Sequence, residues 1–233
     1  MSYDYSENIL VQESAGNLLH DKLGWDVKFA YNSEILGENG TFGRKSYKEI
    51  LLTRYLKEAL KKFNPWINDT QIIEALRNLE SRLSTASLLQ INEEKYYLIR
   101  DGIPVTIKKP NGETQVKKAM VIDFLNPENN YFLAIKELKI HGELHRRRTD
   151  IVGFVNGIPL LFVELKNSSV DVRNAYEDNY TDYQICFTTT PFSCYQTAWR
   201  QRLARLGVNL SFSMSGKGLL KTIKEALLLR LCF

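Results

Sequence analysis

The sequence predicts an α+β protein built in mixed α/β/α layers, with a central sheet, mostly antiparallel or mixed, flanked by helices. Three observations carry that expectation. Apolar residues recur at helical spacing through the first hundred positions, strand-length apolar runs with turn signals take over from Gly102, and helical spacing returns after residue 170.

The elements follow in order. Residues 7–23 read as an amphipathic helix with Leu10, Leu18, Leu19 and Leu23 as apolar positions and Gly24 as its stop. Residues 26–31 read as a short strand and the Gly-rich stretch 36–43 as a loop. Ser46 is expected to cap a second helix over 47–63, with Glu49 completing a capping box and Asn64-Pro65 ending it. Asn68 or Asp69 caps a third helix through about residue 83, its apolar face formed by Ile72, Ile73, Leu76 and Leu79; residues 84–100 read as helical or mixed. Strands are expected over 103–107, 116–124 and 131–140, with turns at Asn111-Gly112 and Pro127–Asn130, and a helix over 170–183 with Asp171 in its first turn. No internal repeat or low-complexity linker interrupts the chain.

With 233 residues, 44% hydrophobic and 25% charged, the chain fits one large domain, or one domain plus an appendage. No apolar run approaches the ~20 residues of a membrane helix, and the polar, acidic N-terminus is unlike a signal peptide, so a cytoplasmic protein without membrane contact is expected. Cys186, Cys194 and Cys232 lack metal-ligand spacing and indicate neither a zinc site nor a disulfide framework. The basic balance is uneven: residues 184–233 hold seven Lys/Arg against one Asp/Glu, a net of +6, whereas the whole chain is +4, which leaves −2 for residues 1–183. The high pI is therefore weak support for nucleic-acid binding by the body. The local clusters Lys108-Lys109, Lys117-Lys118 and Arg146-Arg147-Arg148 are either phosphate contacts or solvated faces.

The densest chemical signal is RRRTDIVGFVNGIPLLFVELK, residues 146–166. Two apolar runs, 151–155 and 158–163, flank Asn156-Gly157, a strong hairpin signal. Asp150 opens the first run. Glu164 and Lys166 close the second and, being two positions apart, project from one face. A carboxylate and an ammonium leaving a strand end together, with a second carboxylate near, can hold a divalent cation and orient a water. Register decides whether they meet. A two-residue Asn156-Gly157 loop pairs Asp150 with Val163 and turns it away from Glu164, whereas a three-residue loop pairs it with Phe162 and gathers Asp150, Glu164 and Lys166 on one face. An odd-length loop or a bulge near Asp150 is therefore expected, and a regular two-residue hairpin would count against a joint site. On spacing alone, a solvated E-x-K and a turn aspartate account for the same residues.

Residues from about 11 to 183 resemble the N-terminal nuclease domain of the restriction (R) subunit of type I restriction-modification enzymes. The resemblance lies in GRKSYKEILLTRYLKEALKKFNP, VIDFLNPENNYFLAIKELKIHGE and RTDIVGFVNGIPLLFVELKNSSVDVRNAYEDNY. RTDIVGFVNGIPLLFVELKN looks like that family's form of the PD-(D/E)xK nuclease motif, and the resemblance implies a restriction-endonuclease-like core. It implies further that Asp150 and Glu164 ligate Mg²⁺ with the Leu165 carbonyl, and that Lys166 orients the attacking water or stabilises developing charge. Glu13 resembles an acidic residue that many such nucleases place near the metal, and a solvent-facing helix glutamate is the other reading. Asn179 and Tyr183 keep the spacing of a Gln-x-x-x-Tyr element, but the shorter Asn amide puts its partner in doubt, and a tyrosine packed under the sheet fits as well.

The resemblance implies double-stranded DNA as substrate, methylation and specificity subunits as partners, and ATP only for a motor region, since this sequence has neither a P-loop nor a DEAD-like box. The domain is expected over 1–183, helical to residue 100 and sheet with active site from 101. Residues 184–233 form an atypical basic tail, expected from a truncated R subunit with a reading-frame shift near residues 185–190; an ordinary C-terminal helical cap is the alternative. The leading function is a metal-dependent endodeoxyribonuclease of restriction-modification. A catalytically silent remnant or DNA-binding module is the second reading, and a repair or junction nuclease the third.

Overall fold

A computed structural model describes residues 7–81, 88–142 and 146–163. Its centre is a four-stranded sheet in the order β1 (Asp26–Phe29), β4 (Phe132–Lys136), β7 (Ile151–Val155), β8 (Ile158–Val163). β1 runs parallel to β4, and the other two pairings are antiparallel, so the sheet is mixed and the fold is α+β. Two short ribbons, β2 (Ile103–Lys108) with β3 (Thr114–Ala119) and β5 (Lys139–His141) with β6 (Arg146–Arg148), stand outside it.

Helix α1 (Glu7–Leu23) lies where its apolar spacing predicts, and Gly24, at φ 69°, ends it with its N–H on the His20 carbonyl. Its buried Ala15 and Leu19 pack with Trp25, Ala134 and Ile151 over one face of the sheet. The opposite face is covered by Phe42, Ile50 and Leu52, which meet Leu133, Ile135, Val152 and Phe154. Alternate residues of β4 and β7 thus serve the two layers, as the pleat requires. All five residues of β7 are buried, which marks it as the central strand.

A third cluster joins helices α2 (Thr53–Phe63) and α3 (Asp69–Glu80) to Ile99 of α4 (Leu88–Asp101), to Ile103 and Val105 of the first ribbon, and to Val155 and Ile158 of the hairpin. The Asn68 cap of α3 forms as expected: its side chain accepts from Thr70 and Gln71, while the Gln71 side chain accepts from the Asn68 N–H.

Four expectations are corrected. The second helix begins at Thr53 instead of 47, with no side-chain cap. Ser46 and Glu49 do form a single capped turn, Glu49 N–H to the Ser46 carbonyl and Lys45 N–H to the Glu49 carboxylate. The chain then extends because Ile50, Leu51 and Leu52 are all buried and the Leu52 N–H bonds the Gly157 carbonyl of the central hairpin. On α3, Ile73 is 48% exposed, and the buried stripe is Gln71, Ile72, Ala75 and Leu79. The strand expected over 116–124 ends at Ala119. The strand expected over 131–140 is broken into β4 and β5 by Glu137, which takes the left-handed conformation at φ 57°.

The helix expected over 170–183 and the tail 184–233 lie outside the described residues. Among those described, no helix is long and apolar enough to cross a membrane.

Candidate active site around Asp150

The hairpin that carries Asp150 turns on two residues. Asn156 and Gly157 have φ values of 51° and 83°, and Val155 pairs with Ile158 and Phe154 with Pro159. Positive φ at both positions matches the twist of the flanking strands and suits Asn-Gly. Asn156 is buried, with its side chain accepting from the Tyr131 N–H at 2.8 Å and donating to the Val121 carbonyl at 2.8 Å, so the turn is pinned from outside as well.

A bulge then intervenes between Gly153 and Phe154. Gly153 pairs with Leu161, Val152 with Phe162 and Ile151 with Val163, so Leu160 is the extra residue. The regular register that would oppose Asp150 to Val163 is therefore absent: Val163 is already taken by Ile151. The expected bulge exists, three to four positions from Asp150.

Asp150 lies in the bend just before β7, half-buried. Its carboxylate accepts from Gln12 Nε2 of α1 at 2.9 Å, and its carbonyl accepts from the Glu137 N–H at 2.9 Å. The left-handed Glu137 and the bend at Asp150 thus form one kink shared by two adjacent strands, carrying the sheet over into the β5–β6 ribbon. Sparsely populated backbone of this kind costs about 1–3 kcal/mol and persists where surrounding structure over-determines it. Here the Thr149 N–H on the Leu138 carbonyl, and an ion pair of 3.0 Å between Glu137 and Arg148, supply that structure.

Gln12 is the site residue that sequence reasoning missed. It is buried on the stripe that continues into Ala15 and Leu19, and a polar residue on an apolar helical face was the available signal. The Lys136 side chain lies across α1 at Gly16, where an added Cβ would stand 3.3 Å from Lys136 Cδ and 3.7 Å from Nζ. The glycine lets the lysine pass beside the helix turn that follows Gln12. Glu13, by contrast, is exposed, one position round the helix from Gln12. The side chain that reaches Asp150 from α1 is the amide and not this acid. Glu164, Leu165, Lys166, Asn179 and Tyr183 lie outside the described residues. Among the described residues, no group of three His, Cys, Asp or Glu side chains gathers as a metal site would require.

This arrangement can fix one carboxylate, through an amide from a different layer, at the end of the central strand. Carboxylates that ligate metals are held by outer hydrogen bonds of this kind.

Comparison with known proteins bears on what the carboxylate serves. The chain is 31% identical over 166 residues to the type I restriction enzyme HindI endonuclease subunit of Haemophilus influenzae, covering 69% of this chain and 15% of that protein. It is 26% identical over 181 residues to the putative type I restriction enzyme MjaIXP endonuclease subunit of Methanocaldococcus jannaschii, covering 76% of this chain and 17% of that protein. The chain thus spans about a sixth of the length of these relatives. The signature of the family described as type I restriction enzyme R protein N terminus matches residues 4–192, and the chain accordingly belongs to that family.

Proposed function

We propose that this chain is a metal-dependent endodeoxyribonuclease domain of a type I restriction enzyme, with Asp150 as the anchoring carboxylate. The observation that carries the proposal is the register of the hairpin. With Ile151 opposite Val163, the bulged register brings Asp150 to the rim where β8 ends; were pairing to continue past the bend, Glu164 would stand opposite Asp150 and Lys166, two positions on, would share that face. Family membership and relatives named as endonuclease subunits support the same reading.

The donor set suits a hard divalent cation such as Mg²⁺: two carboxylates and the Leu165 carbonyl offer oxygen only. Such a cation, when bound, would polarise the phosphate and lower the pKa of a water beside it. The remaining work belongs to the chain. Gln12 holds the Asp150 carboxylate in one orientation from α1. Lys166 would orient the attacking water or stabilise charge on the phosphoryl oxygens. Glu13, being exposed beside Gln12, would act only through solvent or substrate; Asn179 and Tyr183 would support the metal face from the helix expected over 170–183.

The substrate would be double-stranded DNA in the cytoplasm, with methylation and specificity subunits supplying target choice and a separate ATP-driven motor region supplying translocation. A DNA-binding module without cleavage is the second reading. Incubation of supercoiled plasmid with Mg²⁺ separates the two. Wild type should nick or linearise it, Asp150→Ala and Lys166→Ala should not, and identical traces for all three would remove the enzymatic reading.

A further inference from the structure

We infer that one face of the β5–β6 ribbon, carrying Lys139, His141, Arg146 and Arg148, grips the phosphate backbone of duplex DNA next to Asp150. This rests on the nuclease reading and extends it to how substrate is held.

The ribbon pairs Lys139 with Arg148, Ile140 with Arg147 and His141 with Arg146. Alternation places Lys139, His141, Arg146 and Arg148 on one face and buried Ile140 with half-buried Arg147 on the other. The cationic face therefore sets Lys139 directly across from Arg148, and His141 directly across from Arg146. Lys139 and Arg148 are like charges directly opposite one another, which weakens a strand pair unless an anion is shared between them.

Aromatic rings are interleaved with the cations on that face. Arg148 lies 4.5 Å from the centroid of the Tyr31 ring and Lys139 Nζ lies 5.4 Å from it, while Lys139 Nζ is also 5.9 Å from the Tyr47 ring, which packs 4.9 Å from the His141 ring. These contacts order long side chains that would otherwise lose entropy on binding. Among the described residues, Glu137 pairs with Arg148 at 3.0 Å. Exposed Lys45 and Lys48 flank the patch, and burial together with Arg146, Arg44, Lys139 and Lys48 holds the His141 pKa below its ordinary value, a sign of net positive field.

Place and spacing agree with a phosphate grip. Arg148 is two residues from Asp150, and the ribbon is joined to the candidate site by the Glu137–Asp150 and Thr149–Leu138 backbone bonds. Cations two apart on a strand are ~6.6 Å from each other, long enough for the face to reach neighbouring phosphates of one DNA strand, which rises ~3.4 Å along the axis per phosphate.

The test is binding of a fluorescein-labelled 30-base-pair duplex of arbitrary sequence to the full chain, in EDTA, across 50–200 mM KCl. Without metal the readout is independent of cleavage, so failure here and failure of the nuclease reading are separable. For Lys139→Gln with Arg146→Gln, the slope of log K against log salt should shrink by about 1.8, and affinity at 0.1 M salt should fall about sixty-fold. Arg146→Gln alone, at an exposed position, should give half that slope change and guards against misfolding of the double variant. Lys108→Gln with Lys118→Gln on the other ribbon removes the same charge and should leave the slope within about 0.5 of wild type. An unchanged slope in the first variant, an equal loss in the second, or no salt-dependent binding by wild type would each overturn the inference.

Discussion

Gly153 sits at the bulge that sets the register of Asp150, and its replacement by alanine tests how tightly that register is held. A Cβ there would stand 2.6 Å from Trp25 Cζ3 and 2.9 Å from Leu161 Cβ, closer than carbon atoms approach without something moving. Neither neighbour has room. Trp25 is 2% exposed and packs against Phe132 at 5.3 Å, within the cluster that seats α1, and Leu161 belongs to the same strand pair. Overpacking of this kind costs about 1–3 kcal/mol. Loss of glycine's freedom in the unfolded chain returns about 0.4–1 kcal/mol. Gly153→Ala should therefore destabilise by about 1–2 kcal/mol, read as a lower urea midpoint at 25 °C. Trp25→Phe should relieve part of the clash, so the double variant should cost at least about 0.5 kcal/mol less than the two singles together. A Gly153→Ala chain within 0.5 kcal/mol of wild type, or strict additivity with Trp25→Phe, would refute the claim that Trp25 closes on the bulge.

Two further outcomes follow from buried and basic groups. The Arg44 guanidinium is wholly buried, forms two bonds to Glu34 at 2.8 and 2.6 Å, and donates to the Glu49 and Lys139 carbonyls. Arg44→Met strands a carboxylate that is 3% exposed and should cost about 3–5 kcal/mol in urea unfolding, with Glu34→Leu in the same chain recovering most of it; a loss below 1 kcal/mol would contradict the pairing. His141 has its pKa lowered by burial and then by Arg146, Arg44, Lys139 and Lys48, so between that lowered value and about 6.5 the unfolded chain binds more protons than the folded one. Its contribution to stability is complete above about pH 6.5 and is lost as pH falls below it, so Tm should drop on acidification from pH 7 to 5 less steeply in His141→Asn than in wild type.

Much of the fold was legible in sequence where the cause is local. The bounds of α1 follow from Leu spacing and Gly24, the start of α3 from a cap at Asn68 or Asp69, and the central turn from Asn156-Gly157. The second helix was misplaced because Ser46 and Glu49 do build the local turn they signal, and long-range burial of Ile50–Leu52 then overrides its continuation. Glu137 offered no sign of its left-handed backbone, since nothing in IKELKI interrupts a strand pattern and the conformation is imposed by the Asp150 carbonyl and Arg148. At the candidate site, Asp150 is read from its place before an apolar run, while Gln12 was passed over because its partner is 138 residues away.

The sequence alone determined the two strands, their turn and the acid at the strand's mouth, because each depends on residues within a few positions of one another. It also required a register irregularity if that acid was to face Glu164. Where the irregularity falls was decided only by tertiary structure. β7 is buried on both faces, so no polar alternation specifies its parity, and the extra residue is absorbed where Gly153 leaves space for Trp25. The same holds for the amide on Asp150 and the cationic face beside it: side chains far apart in the chain acquire a common chemistry only when packing of the layers brings them within a hydrogen bond or a ring's width.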